Sequence, residues 1–240
     1  MSSQFAAYIN PLTFFEVEDL GNADNTPSAE QVLDFMVAPG TDGSRAAIAA
    51  RCRDLAGATS IVAAPHEPHI LNKLVWPLRH AKASYMTGNF LGTIALTGMV
   101  SEMVAITYFD ATDFQINGSE MTDKLQKDIW GRTFEKQGQD RRVAILFAYG
   151  VIDEDTKRGF DEIRLIRRGY LHLASKGHEN LAEDAAKAFA SASSLVGGLI
   201  GKGFNEGKLV LNPLMVKYLR DRGLMGDPEA ETGVASEGEV

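Results

Sequence analysis

From Ile70 onward, apolar residues recur at spacings of three and four, at Leu71, Leu74, Val75, Leu78, Ala81 and Tyr85, which predicts an amphipathic helix. Pro77 within that run demands a kink or a restart, because its ring removes a backbone donor and crowds the preceding turn. Gly88-Asn89 then breaks the chain, and a nearly continuous apolar stretch runs from Phe90 to about Thr112. Two long helices with so short a joint are expected to lie antiparallel and to centre the core. The second is as long as a bilayer-spanning helix, and Glu102 is its only formal charge between Phe90 and Phe109. Thr93, Thr97, Ser101 and Thr107 interrupt it, however, and Asn89 and Asp110 flank it in place of Lys and Arg. A helix buried inside a domain is the expectation, with no membrane contact.

A third long helix is predicted from Asp153-Glu154-Asp155, whose carboxylates suit a helix N-terminus, to about Leu173. A fourth, rich in alanine, spans Asn180 to about Ile200 and ends at Gly201 and Gly203. Between the two pairs, residues 115–152 are less regular: a polar segment holding Trp130 and Phe134, then the apolar patch Val143 to Phe147, readable as a strand or a buried helical turn. Leu209-Val210-Leu211 and Met215 to Leu219 form a short closing element. Residues 1–65 read as an irregular leader, with a strand or docked segment at Tyr8 to Leu20. The leader also holds a Ser44-capped helix through Ile48 to Leu55 that stops at Gly57. The bundle is expected over 66–220, and residues 221–240 as a disordered acidic tail.

Composition narrows the function classes. With 240 residues and 45% apolar content the chain can fill a sizeable core. A net charge of -8 argues against nonspecific coating of nucleic acid, though not against a small basic site. Cys52 is the sole cysteine, so no intramolecular disulfide forms, and a cytoplasmic location is the expectation. The N-terminus lacks the basic and apolar regions of a signal peptide.

Two motifs are weak on inspection. His66-Glu67-Pro68-His69 carries metal-ligating residue types, but Pro68 prevents the helical register a zinc site needs. Gly197 to Gly203 resembles a phosphate loop only superficially: Val196 stands where the first glycine belongs, Gly203 follows Lys202, and the segment closes a helix. No metal and no cofactor are expected.

The third helix holds the strongest candidate chemistry. About 100° per residue places Phe160, Ile163, Ile166, Tyr170 and Leu171 on one face, with Arg167 in its middle. A guanidinium among apolar neighbours needs a partner, and Glu102, the lone charge of the second helix, is the expected one. Arg168 and His172, four apart, stack on the adjacent face. Arg167 and His172 diverge by about 140° on an ideal helix, so sharing one phosphate requires a break near Gly169 or a second subunit.

Arg167-Arg168-Gly169-Tyr170-Leu171-His172, preceded by Phe160-Asp161-Glu162-Ile163-Arg164, resembles the motif of the HEPN superfamily: arginine, a polar residue, a short variable run, histidine. Leu78 to Tyr85, with Ile94 to Thr97 and Glu102-Met103, is similar to the opening helix pair of bacterial members. The resemblance covers roughly residues 70 to 200. It implies an all-α, up-and-down bundle of four to five long helices that forms a homodimer and brings two motifs together. It further implies metal-independent endoribonuclease activity, as in stress response, defence or toxin-antitoxin systems, with a regulatory protein partner. His172 would serve as acid or base and Arg167 as phosphate holder, with Arg164 and Arg168 binding substrate. Arg168 departs from the Asn, Asp or His most often found at its position. The alternative function is a noncatalytic module of the same fold that binds nucleotide, RNA or a protein.

Overall fold

The computed structural model describes residues 37, 41–58, 64–116, 118–172, 177–201, 203–205 and 208–224. Both the Tyr8 to Leu20 element and residues 225–240 of the expected tail lie outside these. The fold is an all-α helical bundle.

Helix α1 (Arg45–Asp54) starts where Ser44 Oγ accepts from the Ala47 amide at 3.2 Å. None of its residues is buried; Leu55, immediately after it, is the one that enters the core. Arg51 ties it down by donating from Nε to the Met86 carbonyl at 2.7 Å. The next helical run opens at Pro68, with the Glu67 carboxylate accepting from the Ile70 amide at 2.7 Å. It passes through a π-helical segment, Leu71–Val75, into α2 (Trp76–Met86). Pro77 therefore sits in the first turn of a restarted helix, where its missing amide costs little. The wide π turn just before it provides the break that the proline demands.

Gly88, at φ 80°, turns the chain into α3 (Phe90–Ala111), which Asn89 caps by accepting from the Gly92 amide at 2.9 Å. This 22-residue helix is the axis of the molecule, in contact with most other helices. Its polar interruptions are satisfied by the backbone. Thr97 donates to the Ile94 carbonyl at 3.0 Å, Thr107 to Met103 at 2.9 Å, and Thr93 reaches across to Ala81 of α2 at 3.2 Å. The apolar length that matches a bilayer is used here to pack against protein.

After α3 comes a short antiparallel ribbon of β1 (Gln115–Ile116) and β2 (Ser119–Glu120), then α4 (Asp123–Trp130). The patch Val143 to Phe147 is helical, within α5 (Gln139–Ala148), and buries Val143, Ile145 and Leu146. Two buried polar side chains hold the intervening loop. Gln126 Oε1 accepts from the Phe134 amide at 2.8 Å while its Nε2 donates to Met121 at 3.2 Å, and Arg142 Nε donates to the Phe134 carbonyl at 3.2 Å. Phe134 is thus delivered onto Phe109 of α3, stacked at 4.1 Å between ring centroids.

Helix α6 (Glu154–Arg167) begins at Asp153, whose Oδ1 accepts from the Thr156 amide at 2.8 Å. It runs into a second π-helical segment, Arg168–His172. Helix α7 (Leu181–Ile200) returns antiparallel to α6: Glu162 accepts from Ser191, Gly159 faces Leu195, and Tyr170 donates to Asp184 at 2.8 Å, in opposite order along the two helices. Gly201, at φ 126°, stops α7 where any side chain would strike the backbone of Val210 and Asn212. A second ribbon, β3 (Gly203–Asn205) with β4 (Lys208–Val210), leads to α8 (Pro213–Asp221). Phe160 and Ile163 of α6, Phe189 and Leu199 of α7, Ile94 and Val104 of α3, and Leu78 of α2 share one core.

Because Phe134 is fully buried at the junction of α3 with the 115–152 segment, Phe134→Ala is expected to lower stability by about 3–5 kcal/mol, read by chemical denaturation.

Candidate functional site

A cavity of about 470 Å³ opens where the C-terminal half of α6 meets the middle of α3 and the start of α5. Arg167 enters it by crossing α3 at Gly98, where any side chain would collide with its Cδ. Glycine at 98 thus permits the approach. The Arg167 guanidinium then donates from Nη1 to Glu102 Oε1, each side chain 32% exposed. The second oxygen of Glu102 lies 3.9 Å from Arg142 Nη1 of α5. One carboxylate therefore stands between two guanidiniums, and it links three helices.

Around this centre, Gln139 Nε2 donates to Ser101 of α3, to its carbonyl at 3.2 Å and its Oγ at 3.1 Å. Arg164 lines the cleft and donates from Nη2 to Asp161 at 3.0 Å, and Asp161 also accepts from Lys157 at 2.9 Å. Burial pushes the Asp161 carboxyl up, but the hydrogen bonds and charges of Lys157 and Arg164 outweigh it and hold it below its ordinary value of 3.8. Arg168 is exposed at the rim, without an ion-pair partner among the described residues. Three arginines and two carboxylates, Glu102 and Asp140, line the cleft, which makes it locally basic on an acidic chain.

Of the sequence-predicted residues, Arg164, Arg167, Arg168 and Glu102 all border this one cleft. His172 ends the π-helical segment; the described structure gives its backbone alone. A π turn closes between residues five apart, whereas an α turn closes between residues four apart. Positions 167 and 172 consequently stand about one turn apart, and the divergence expected on an ideal α-helix does not apply. The same turn corrects the predicted apolar face. Phe160, Ile163 and Ile166 are buried and Tyr170 is half-buried, but Leu171 is 39% exposed because the wider turn rotates it off the core. Gly169, with no Cβ to crowd a widened turn, lies inside this segment.

Sequence reading missed the α5 contribution of Gln139, Asp140 and Arg142. The available signal was Arg142 beside the apolar Val143 to Leu146, a charge on a buried run like Arg167. Among the described residues, no three His, Cys, Asp or Glu side chains converge as metal ligands do. In the His66 to His69 segment, Glu67 caps a helix. Comparison of the chain with protein-family models, curated proteins and solved structures found no match.

Two outcomes test this geometry. Glu102→Ala leaves the half-buried Arg167 and the buried Arg142 without their counter-charge, and denaturant titration should show a loss of about 1–3 kcal/mol, with Glu102→Gln losing less. The depressed Asp161 carboxyl contributes stability that is complete above its ordinary value and disappears as the pH falls through its lower folded value. Melting curves of Asp161→Asn should therefore lie below those of wild type by a constant margin above pH about 5, and converge with them in acid.

Proposed function

We propose that the protein is a HEPN-like, metal-independent endoribonuclease acting as a homodimer, with its catalytic cleft at the Glu102, Arg167 and His172 end of α6. The observation that carries this reading is the π-helical segment Arg168–His172, which sets an arginine and a histidine five residues apart at a one-turn spacing beside a basic cleft. Arg164 and Arg168 would receive the phosphate, and Arg167 would neutralise charge developing on its oxygens. His172 would take the proton of the ribose 2'-hydroxyl as that oxygen attacks phosphorus. The bond to the 5'-oxygen breaks, and this leaving group takes a proton from the protonated imidazole of the second copy. A 2',3'-cyclic phosphate and a 5'-hydroxyl result, with no redox change and no net proton consumed. Glu102 would act as a positioning residue that holds Arg167 in the cleft between turnovers.

Two points favour a second reading, a noncatalytic module that binds RNA: Glu102 already occupies the Arg167 guanidinium, and Arg168 stands where the family most often has a smaller polar residue. Incubation of the purified chain with single-stranded RNA in EDTA separates the two. The enzyme predicts cleavage with cyclic-phosphate ends that falls at least about a hundredfold in His172→Ala and in Arg167→Ala. An uncleaved RNA that nonetheless shifts in a mobility assay, with dimer present by light scattering, selects the binding module.

A further inference from the structure

A second cavity, of about 500 Å³, lies at the opposite half of α6, between α6, α7 and the end of α3. It exists because small residues face one another there: Gly159 on α6, and Ser191, Ser194 and Gly198 on α7. Its inner wall carries the hydroxyl of Tyr108. That side chain comes from the buried axis helix and is only 5% exposed, yet its hydroxyl has no hydrogen-bond partner among the described residues. A methyl group at Gly198 would lie 3.8 Å from the hydroxyl oxygen, so the glycine leaves the tyrosine open to the cavity. A buried phenol normally finds a partner, and one that faces an open cavity of this size is a place for a ligand's polar atom.

The charges on the walls say which kind of atom. Asp153, Asp155 and Glu162 border the cavity; Arg158 is the one base among its lining residues, itself turned to Asp155 at the exposed rim, and Lys187, which lies near Glu162, is paired with Glu183. Burial pushes the Tyr108 phenol up to about 12, with the nearby Asp153 charge adding to the effect, so it stays neutral and keeps its acceptor lone pairs. Hydrogen bonds from Thr156 hold Asp153 low and ionised. The three carboxylates do not converge on a point as metal ligands would. An extended cation, with ammonium groups a few bonds apart, matches their distribution better than a metal ion does.

We propose that this cavity binds a small aliphatic diamine, one ammonium group donating to the Tyr108 hydroxyl beside the Asp153 carboxylate and the other held by Glu162, nine residues further along α6. The site is independent of the endoribonuclease reading, because it uses none of the residues of that cleft. Recognition depends on hydrogen-bond acceptors and negative charge lined up along an apolar floor of Leu195.

Calorimetric titration of the full chain with 1,4-diaminobutane tests it, with magnesium chloride at matched ionic strength as the control. The expected result is saturable binding of one diamine per chain, weakened about tenfold in Tyr108→Phe and in Glu162→Gln, and lost in Gly198→Leu. Tyr108→Phe removes only an unpartnered oxygen, so its fold is preserved and the comparison holds even where Gly198→Leu is unstable. Absence of saturable heat, unchanged affinity in Tyr108→Phe, or equal displacement by magnesium would each overturn the proposal.

Discussion

The carboxylate of Glu102 sets the terms for its neighbours. It is the one formal charge between Phe90 and Phe109 on the helix around which the molecule is built, and a half-buried charge there is tolerable only with compensation. Compensation comes from two directions, Arg167 at the end of α6 and Arg142 near the start of α5. Each contact fixes the axial position of a helix against α3, which apolar packing alone, being non-directional, specifies less sharply. The glycine at 98 belongs to the same device, since a side chain there would push the Arg167 stem away from its partner. The cleft is the space left around this constraint.

Most of the helical architecture was legible because the helices carry strong periodicity and punctuation. Ser44, Asn89 and Asp153 cap where their chemistry says they should, and Gly88 and Gly201 turn the chain with positive φ. The Val143 to Phe147 patch was ambiguous for a definite reason: five consecutive apolar residues fit a strand or a buried helical turn equally well. What decides between them is Arg142 and Gln126, whose buried hydrogen bonds to the backbone at Phe134 and Met121 anchor α5 and the loop before it. Contacts of that kind join residues five to eight apart through irregular chain, and periodicity does not see them.

The site was legible in part for the same reasons. Arg167 on an apolar face and Glu102 in an apolar helix were two anomalies, each costly alone, and pairing them removes both. The π-helical segment was only half visible. Gly169 marked a place where the helix could loosen, but loosening might have meant a bend, a stop or a wider turn; Leu171 turning outward is the consequence of the last of these. The Tyr108 cavity left no trace in the pattern, since a tyrosine in an apolar helix reads as core. Its meaning lies in two glycines and two serines on other helices that fail to cover it.

Helix α6 carries acidic residues in its first turn and basic ones in its last, an arrangement that its own dipole favours and that needs no ligand to explain it. The partners of its arginines sharpen the matter. Arg158 is engaged by Asp155, Arg164 by Asp161 and Arg167 by Glu102, so ion pairing accounts for three of the four arginines along α6 and the π-helical segment that follows it. Arg168 is the remainder, exposed at the rim of the cleft and unpaired among the described residues. An anion entering there meets Arg168 first and Arg167 only in competition with Glu102. Any affinity of this cleft for an anion would therefore depend on how readily one carboxylate shifts toward Arg142, the second guanidinium already 3.9 Å from its other oxygen. That neighbour lowers the cost of releasing Arg167, because Glu102 keeps a counter-charge when it lets go.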